Sequence, residues 1–119
     1  MVRIQTQEWR SSGLTRAIFI TEHGTAQLEL YSKPCGDRKV TAYFYALWVE
    51  PPYRRNGEAT ELIDMAERYA RARGHKKIHL KFDNRDTPYE IFDWYVRRGY
   101  DDVEFGNHES LLEKVLTTE

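Results

Sequence analysis

The chain has 119 residues, the length of one domain with one core, and its 13% aromatic content excludes a disordered polymer. A formal net charge of -1 without a strongly basic helix excludes nucleic acid as the main partner. The lone Cys35 excludes a disulfide framework and a cysteine-built metal site, and no apolar run reaches signal-peptide or membrane-span length, so a cytoplasmic protein with no membrane contact is expected.

Val2 to Trp9 reads as a weakly alternating first strand, closed by Ser11-Ser12-Gly13. Thr15 to Thr21 is β-branched and aromatic. It is followed by a His23-Gly24 turn and by Ala26 to Tyr31, which alternates about Leu28 and Leu30. Strands joined this tightly form a hairpin. Lys33 to Lys39, with Cys35 inside it, reads as the next turn. Val40 to Val49 is the longest strand candidate, and its unbroken apolar and aromatic character places it centrally until Pro51-Pro52 ends it.

A helix from about Gly57 to Arg73 carries Ala59, Leu62, Ile63, Ala66 and Ala70 on one face. Asp64–Arg68 and Glu67–Arg71 have the spacing of intrahelical ion pairs, and Gly74 is its cap. Lys77 to Phe82 then alternates, with Ile78, Leu80 and Phe82 on one side and Lys77, His79 and Lys81 on the less apolar other, where His79 reads equally as a surface histidine or as a group beside the gap between the parallel strands. A strand, a helix and a strand joined by short links imply parallel pairing. Thr87-Pro88-Tyr89-Glu90 predicts a second helix with Thr87 as N-cap and Pro88 in its first position. Ile91, Phe92, Tyr95 and Val96 are its expected inward residues, and Gly99 ends it. Tyr100 to Phe105 and Ser110 to Leu116 are late strands about a Gly106-Asn107 turn. The whole chain, 1–119, is one domain of α/β (α+β) class. Its sheet is mixed and mostly antiparallel, with a splayed parallel pair at the centre and two main helices.

The loop between the long strand and the first helix, Val49 to Ala59, offers Arg54, Arg55, one glycine and a row of backbone N–H groups at a helix start. That is what a phosphate-bearing ligand needs. It lacks the extra glycines and Lys-Ser/Thr pair of a Walker loop, and one glycine does not make a dinucleotide fingerprint. Charge is uneven along the chain. Residues 54–81 carry eight Arg/Lys against four Asp/Glu, whereas residues 83–119 carry four against ten. A basic rim suits a phosphorylated molecule, and an acidic last third suits an amine. The histidines at 23, 75, 79 and 108 have no metal-ligand spacing, so no metal site is expected.

Val49, Pro51, Tyr53, Arg54, Gly57 and Ala59, then Tyr95, Gly99 and Tyr100, then Glu113-Lys114-Val115-Leu116 resemble, in order and at similar distances, the signature elements of the GNAT superfamily of acyl-CoA-dependent N-acetyltransferases. The resemblance is best over residues 47–116. It implies transfer of an acetyl group from acetyl-CoA to a primary amine by direct attack. It also implies that the backbone of Arg54, Arg55, Asn56, Gly57, Glu58 and Ala59 binds the pyrophosphate. The end of the central strand, Leu47, Trp48 and Val49, would bond the pantetheine arm, and Tyr95 would act as general acid to the departing thiolate. Tyr95 also reads as a core aromatic.

Glu50 is the best-placed carboxylate for the amine proton, with His79 as another candidate and a water chain as a third. Tyr43 and Tyr45 line the acceptor slot or pack the sheet. Two departures stand out. The family's asparagine before the tyrosine is Pro88 here, which leaves Asn84 as the nearest one for the cofactor. The stretch Trp9 to Thr15 is also too short for the two helices that usually wall the acceptor site. That implies an open site, a large acceptor such as a protein or peptide amine, or a wall from a second subunit in a homodimer. The alternative function is a non-catalytic CoA-binding or protein-interaction module on the same fold.

Overall fold

A computed structural model describes residues 1–85 and 87–116. The strands are β1 (Arg3–Trp9), β2 (Leu14–Ile20), β3 (Gly24–Cys35), β4 (Val40–Val49), β5 (Lys77–Asp83), β6 (Asp101–Phe105) and β7 (Glu109–Val115). The helices are α1 (Glu58–Ala72) and α2 (Tyr89–Arg97), and a short 3-10 turn covers Pro51–Tyr53. All seven strands form one sheet in the order β1-β2-β3-β4-β5-β7-β6. The β4–β5 pair is parallel and every other pair antiparallel, as the short strand–helix–strand links require.

The parallel pair meets at a single register point, Tyr43 opposite His79. Towards Val49 the two strands part. On the other side of β4 the register slips between Gln27–Tyr45 and Thr25–Trp48, which leaves a bulge at Ala46–Leu47 with Ala46 at φ 56°. A bulge ends regular pairing and turns the strand's backbone groups away from the ladder.

Both helices lie on one face of the sheet. There Ala17, Phe19, Leu28, Phe44, Ile78, Leu80 and Leu112 meet Leu62, Ile63, Ala66 and Ala70 of α1 in one core. The helix ends are closed alike. Gly74 and Gly99 take φ 88° and 98°, and the N–H groups of His75 and Tyr100 reach back to the carbonyls of Ala70 and Tyr95. These bonds use the carbonyls that a helix terminus would otherwise leave open.

Three readings of the sequence change. Cys35 ends β3 opposite Val40 rather than sitting in a turn, because a register shift after Leu30 lets the strand continue past Ser32. Pro88 keeps an extended ψ of 146°, so it, and not Thr87, is the N-cap and α2 starts one residue later. In this short helix Ile91 and Val96 face solvent, and Phe92, Trp94 and Tyr95 make the packing contacts instead. The described partners of Asp64 and Glu67 lie across the fold. Asp64 takes the Arg98 guanidinium, and buried Glu67 accepts from the Tyr100 hydroxyl at 2.9 Å and the Lys114 ammonium at 2.8 Å. Tyr100 is held far above the ordinary phenol range by its burial and by the Glu67 charge beside it.

Candidate functional site

Where β4 and β5 part, a groove of about 860 Å³ opens. The bulged end of β4, from Phe44 to Val49, forms one wall, and Leu80 to Asp83 of β5 forms the other. Trp94 and Tyr95 of α2 close its inner end, and Tyr53, Arg54, Arg55, Gly57, Glu58 and Ala59 form its outer end. The volume is that of a site for a sizeable small molecule.

The outer end is built by an abrupt change of backbone direction. Pro51-Pro52 stops β4, the 3-10 turn folds the chain back, and Arg55 and Gly57 take φ 67° and 88° before α1 begins. Alternating left- and right-handed residues point successive N–H groups to one side and make an anion-binding concavity. Glycine adopts this φ freely, whereas Arg55 pays strain for it, and such strain collects at functional sites. Glu61 is the first residue of α1 whose N–H reaches a helix carbonyl, that of Gly57 at 3.0 Å. The N–H groups of Arg55 to Thr60 have no backbone acceptor among the described residues. The Arg54 side chain lines the groove beside this loop: its Nε donates to the Val49 carbonyl at 2.8 Å and its guanidinium lies over Trp48.

At the inner end Tyr95 is 8% exposed, edge-on to Trp94 and Tyr100. No described side chain hydrogen-bonds its hydroxyl. Burial pushes its pKa up to about 12, only partly offset by Arg98. A phenol so placed stays protonated at neutral pH and serves as a donor, not as a base.

The structure brings Leu47, Trp48, Val49, Arg54, Arg55, Gly57, Glu58, Ala59 and Tyr95 to one groove. Asn56 lies in the same loop but is not among the lining residues. Asn84 turns away: its amide donates to the Gly106 carbonyl and accepts from Ser110, which ties β5 to the β6–β7 turn. Glu50 heads the 3-10 turn, exposed and outside the lining, with its N–H on the His23 carbonyl at 2.8 Å. His79 is wholly buried rather than at the surface, its Nε2 2.9 Å from Glu113 Oε2. Its cross-strand neighbour Glu113 supplies the acceptor that makes this burial affordable. Among the described residues no cluster suited to a metal is present.

Sequence reasoning missed three features. Ala46 gives no signal, since alanine is not a residue of choice at positive φ. Trp94 packs on the core where apolar spacing points to Ile91 and Val96. The third is the contact of Glu58 with His23, 35 residues away, which no local pattern reveals.

A model of the GNAT acetyltransferase family matches residues 23–100. No curated protein matches the sequence. Among solved structures, a Klebsiella pneumoniae protein assigned as an acyl-CoA N-acyltransferase superposes with a TM-score of 0.68 at 14% identity, over 98% of this chain and 99% of that one. The ribosomal-protein-S18-alanine N-acetyltransferase of Escherichia coli gives 0.68 at 11% identity, over 100% and 96%. The PaiA N-acetyltransferase of Thermoplasma acidophilum, in complex with coenzyme A, gives 0.67 at 15% identity, over 87% of this chain and 61% of that one. At these identities the likeness is one of fold.

Proposed function

The chain belongs to the GNAT acetyltransferase family, and on that premise we propose that it moves an acetyl group from acetyl-CoA to a primary amine. The observation that carries this reading is the continuity of one groove from the loop before α1, where the amides of residues 55–60 have no backbone acceptor among the described residues, along the bulged end of β4, to Tyr95. The pyrophosphate would sit on those amides at the positive end of α1. The pantetheine arm would run beside Leu47 to Val49 as an added strand. The thioester would then lie in the gap between β4 and β5.

The neutral amine attacks the thioester carbonyl carbon, and a tetrahedral intermediate forms. The C–S bond breaks, and the leaving sulfur takes the Tyr95 proton. The ammonium proton leaves through solvent and restores the phenol. Buried Tyr95 suits this part because it holds its proton until a thiolate develops beside it. No acyl-enzyme is needed. Cys35 faces the start of β4, nine residues from Val49 and so roughly 30 Å away along the strand. Glu50 would take the amine proton only through water, since it lies outside the lining. An unchanged pH profile of kcat/KM in Glu50→Gln would remove it from the mechanism. The sheet face beside the gap carries Tyr43 and Tyr45 and is not covered by either helix, which leaves room for an amine presented on a peptide or protein.

The test is calorimetric titration with acetyl-CoA and desulfo-CoA, then turnover with peptide N-termini and lysines. Micromolar binding with transfer is expected. Tyr95→Phe should lower kcat by about a hundredfold or more while leaving CoA affinity near wild type. Binding without transfer to any amine would leave a CoA-binding module. No binding at millimolar ligand, in folded protein, would leave an interaction module.

A further inference from the structure

The loop that forms the outer end of the groove is held at three points by one residue of the β2–β3 hairpin. At its start the Glu50 N–H donates to the His23 carbonyl at 2.8 Å. In its middle the Tyr53 ring lies flat on the His23 ring, centroids 3.4 Å apart and planes within 4°. At its end the Glu58 carboxylate takes the His23 backbone N–H at 3.0 Å on Oε2 and meets the ring Nδ1 at 2.7 Å on Oε1. Thr21 adds a hydroxyl donor to Oε2 at 2.7 Å. A Cβ on Gly24 would come within 2.8 Å of the Trp48 carbonyl, so the turn is pressed against the end of β4.

Glu58 is the first residue of α1, the turn on which a pyrophosphate would rest. A carboxylate there is good for the helix and bad for an anionic ligand, because both compete for the same positive end. The carboxylate accepts only, so Nδ1 carries the hydrogen between it and His23. A second proton on Nε2 makes the ring a cation. It then cancels Glu58 and gains from the Tyr53 face beneath it.

We propose that His23 is the positioning residue of the CoA site: it fixes loop 50–58 in its binding shape and, as a cation, neutralises Glu58 so that the first turn of α1 accepts a pyrophosphate. The inference rests on the reading of the groove as a CoA site. The groups facing His23 are Glu22 on its own hairpin, Glu50 and Tyr53 before the helix, and Glu58 on it. The hydrogen bond to Glu58 raises the His23 pKa, against the opposing effect of burial, and the nearby carboxylates add to the rise. The cation is therefore fully present below the ordinary histidine value of 6.5 and is lost as pH climbs through the raised value.

The test is CoA affinity by calorimetry for the wild type, His23→Gln, Glu58→Gln and the double variant, from about pH 7 to pH 9, where the CoA phosphates are already ionised. Wild-type affinity should fall across this range, and His23→Gln should be weaker by about tenfold at the lower end and lack the step. The double variant should recover to within about threefold of wild type, because the uncompensated carboxylate is gone. A purely structural role would leave the double variant as weak as His23→Gln or weaker, and that result overturns the charge role. In the absence of ligand, His23→Gln should speed hydrogen exchange at the Glu50 and Glu61 amides, and unchanged exchange overturns the positioning role. Wild-type protein that binds no CoA overturns the cofactor reading itself. Binding by wild type and His23→Gln alike at every pH overturns only the role given to His23.

Discussion

The two faces of the sheet are built from the same strands by different physics. On the helix side Ala17, Phe19, Leu28, Phe44, Leu80 and Leu112 are buried by apolar contact, and the buried Glu67 among them is fully paired. The alternate residues of those strands make the other face. There the Glu29 carboxylate gathers the Arg16 guanidinium at 3.0 Å and the hydroxyls of Tyr31 at 2.5 Å and Tyr45 at 3.0 Å, while His79 leans on Glu113. Among the described residues neither helix covers this second face, so hydrogen-bonded networks do there what packing does on the first. Tyr45 belongs to both, since it is a lining residue of the groove and its hydroxyl belongs to the Glu29 network. The groove opens between the two faces where β4 and β5 part.

The sharpest way to break this comparison is to damage each face once. Leu62 is wholly buried under α1, and Leu62→Ala should cost about 2–5 kcal/mol of stability by lost burial and the cavity left behind. Glu29→Ala strips three donors of their acceptor, but water reaches this face, so the cost should be about 1–2 kcal/mol. Urea unfolding of the two variants reads both numbers. Equal losses would mean that the polar face is as dry as the packed one and that the contrast is false.

What could be read in the sequence follows from the same division. β4 was legible to the residue because nothing in Val40–Val49 interrupts its strand character and two prolines stop it. α1 was legible because its apolar positions keep helical spacing and glycine closes it. The mixed sheet and the Val49–Ala59 loop followed from those two. The burial of His79 could not be read, because alternation identifies which face a residue is on, not how crowded that face is. Glu29, Arg16 and Tyr45 could not be grouped, since a network across three strands depends on register, and register is a property of the assembled sheet. The His23–Glu58 contact was out of reach for the same reason. A turn histidine is unremarkable until the helix start arrives beside it.

The smallest expected effect sharpens the comparison most. Burial alone would raise the Glu29 pKa, but the hydrogen bonds from Tyr31, Arg16 and Tyr45 outweigh it and hold the group below its ordinary value of 4.5. Glu113 is held below that value in the same way, with His79 and Lys77 outweighing burial. A carboxylate that is more acidic folded than unfolded contributes stability that is present above the unfolded value and is lost as pH falls through the folded one. Stability should therefore drop as the solution is acidified from about pH 5 towards pH 3, and Glu29→Gln should flatten the drop by about 1 kcal/mol or less. Leu62→Ala should lower the whole curve and leave its slope alone, since it moves no proton. A Leu62→Ala slope that changes as much as that of Glu29→Gln would show the two faces to be coupled through the strands they share. Parallel curves for wild type and Glu29→Gln would remove Glu29 from the groups that hold the polar face together.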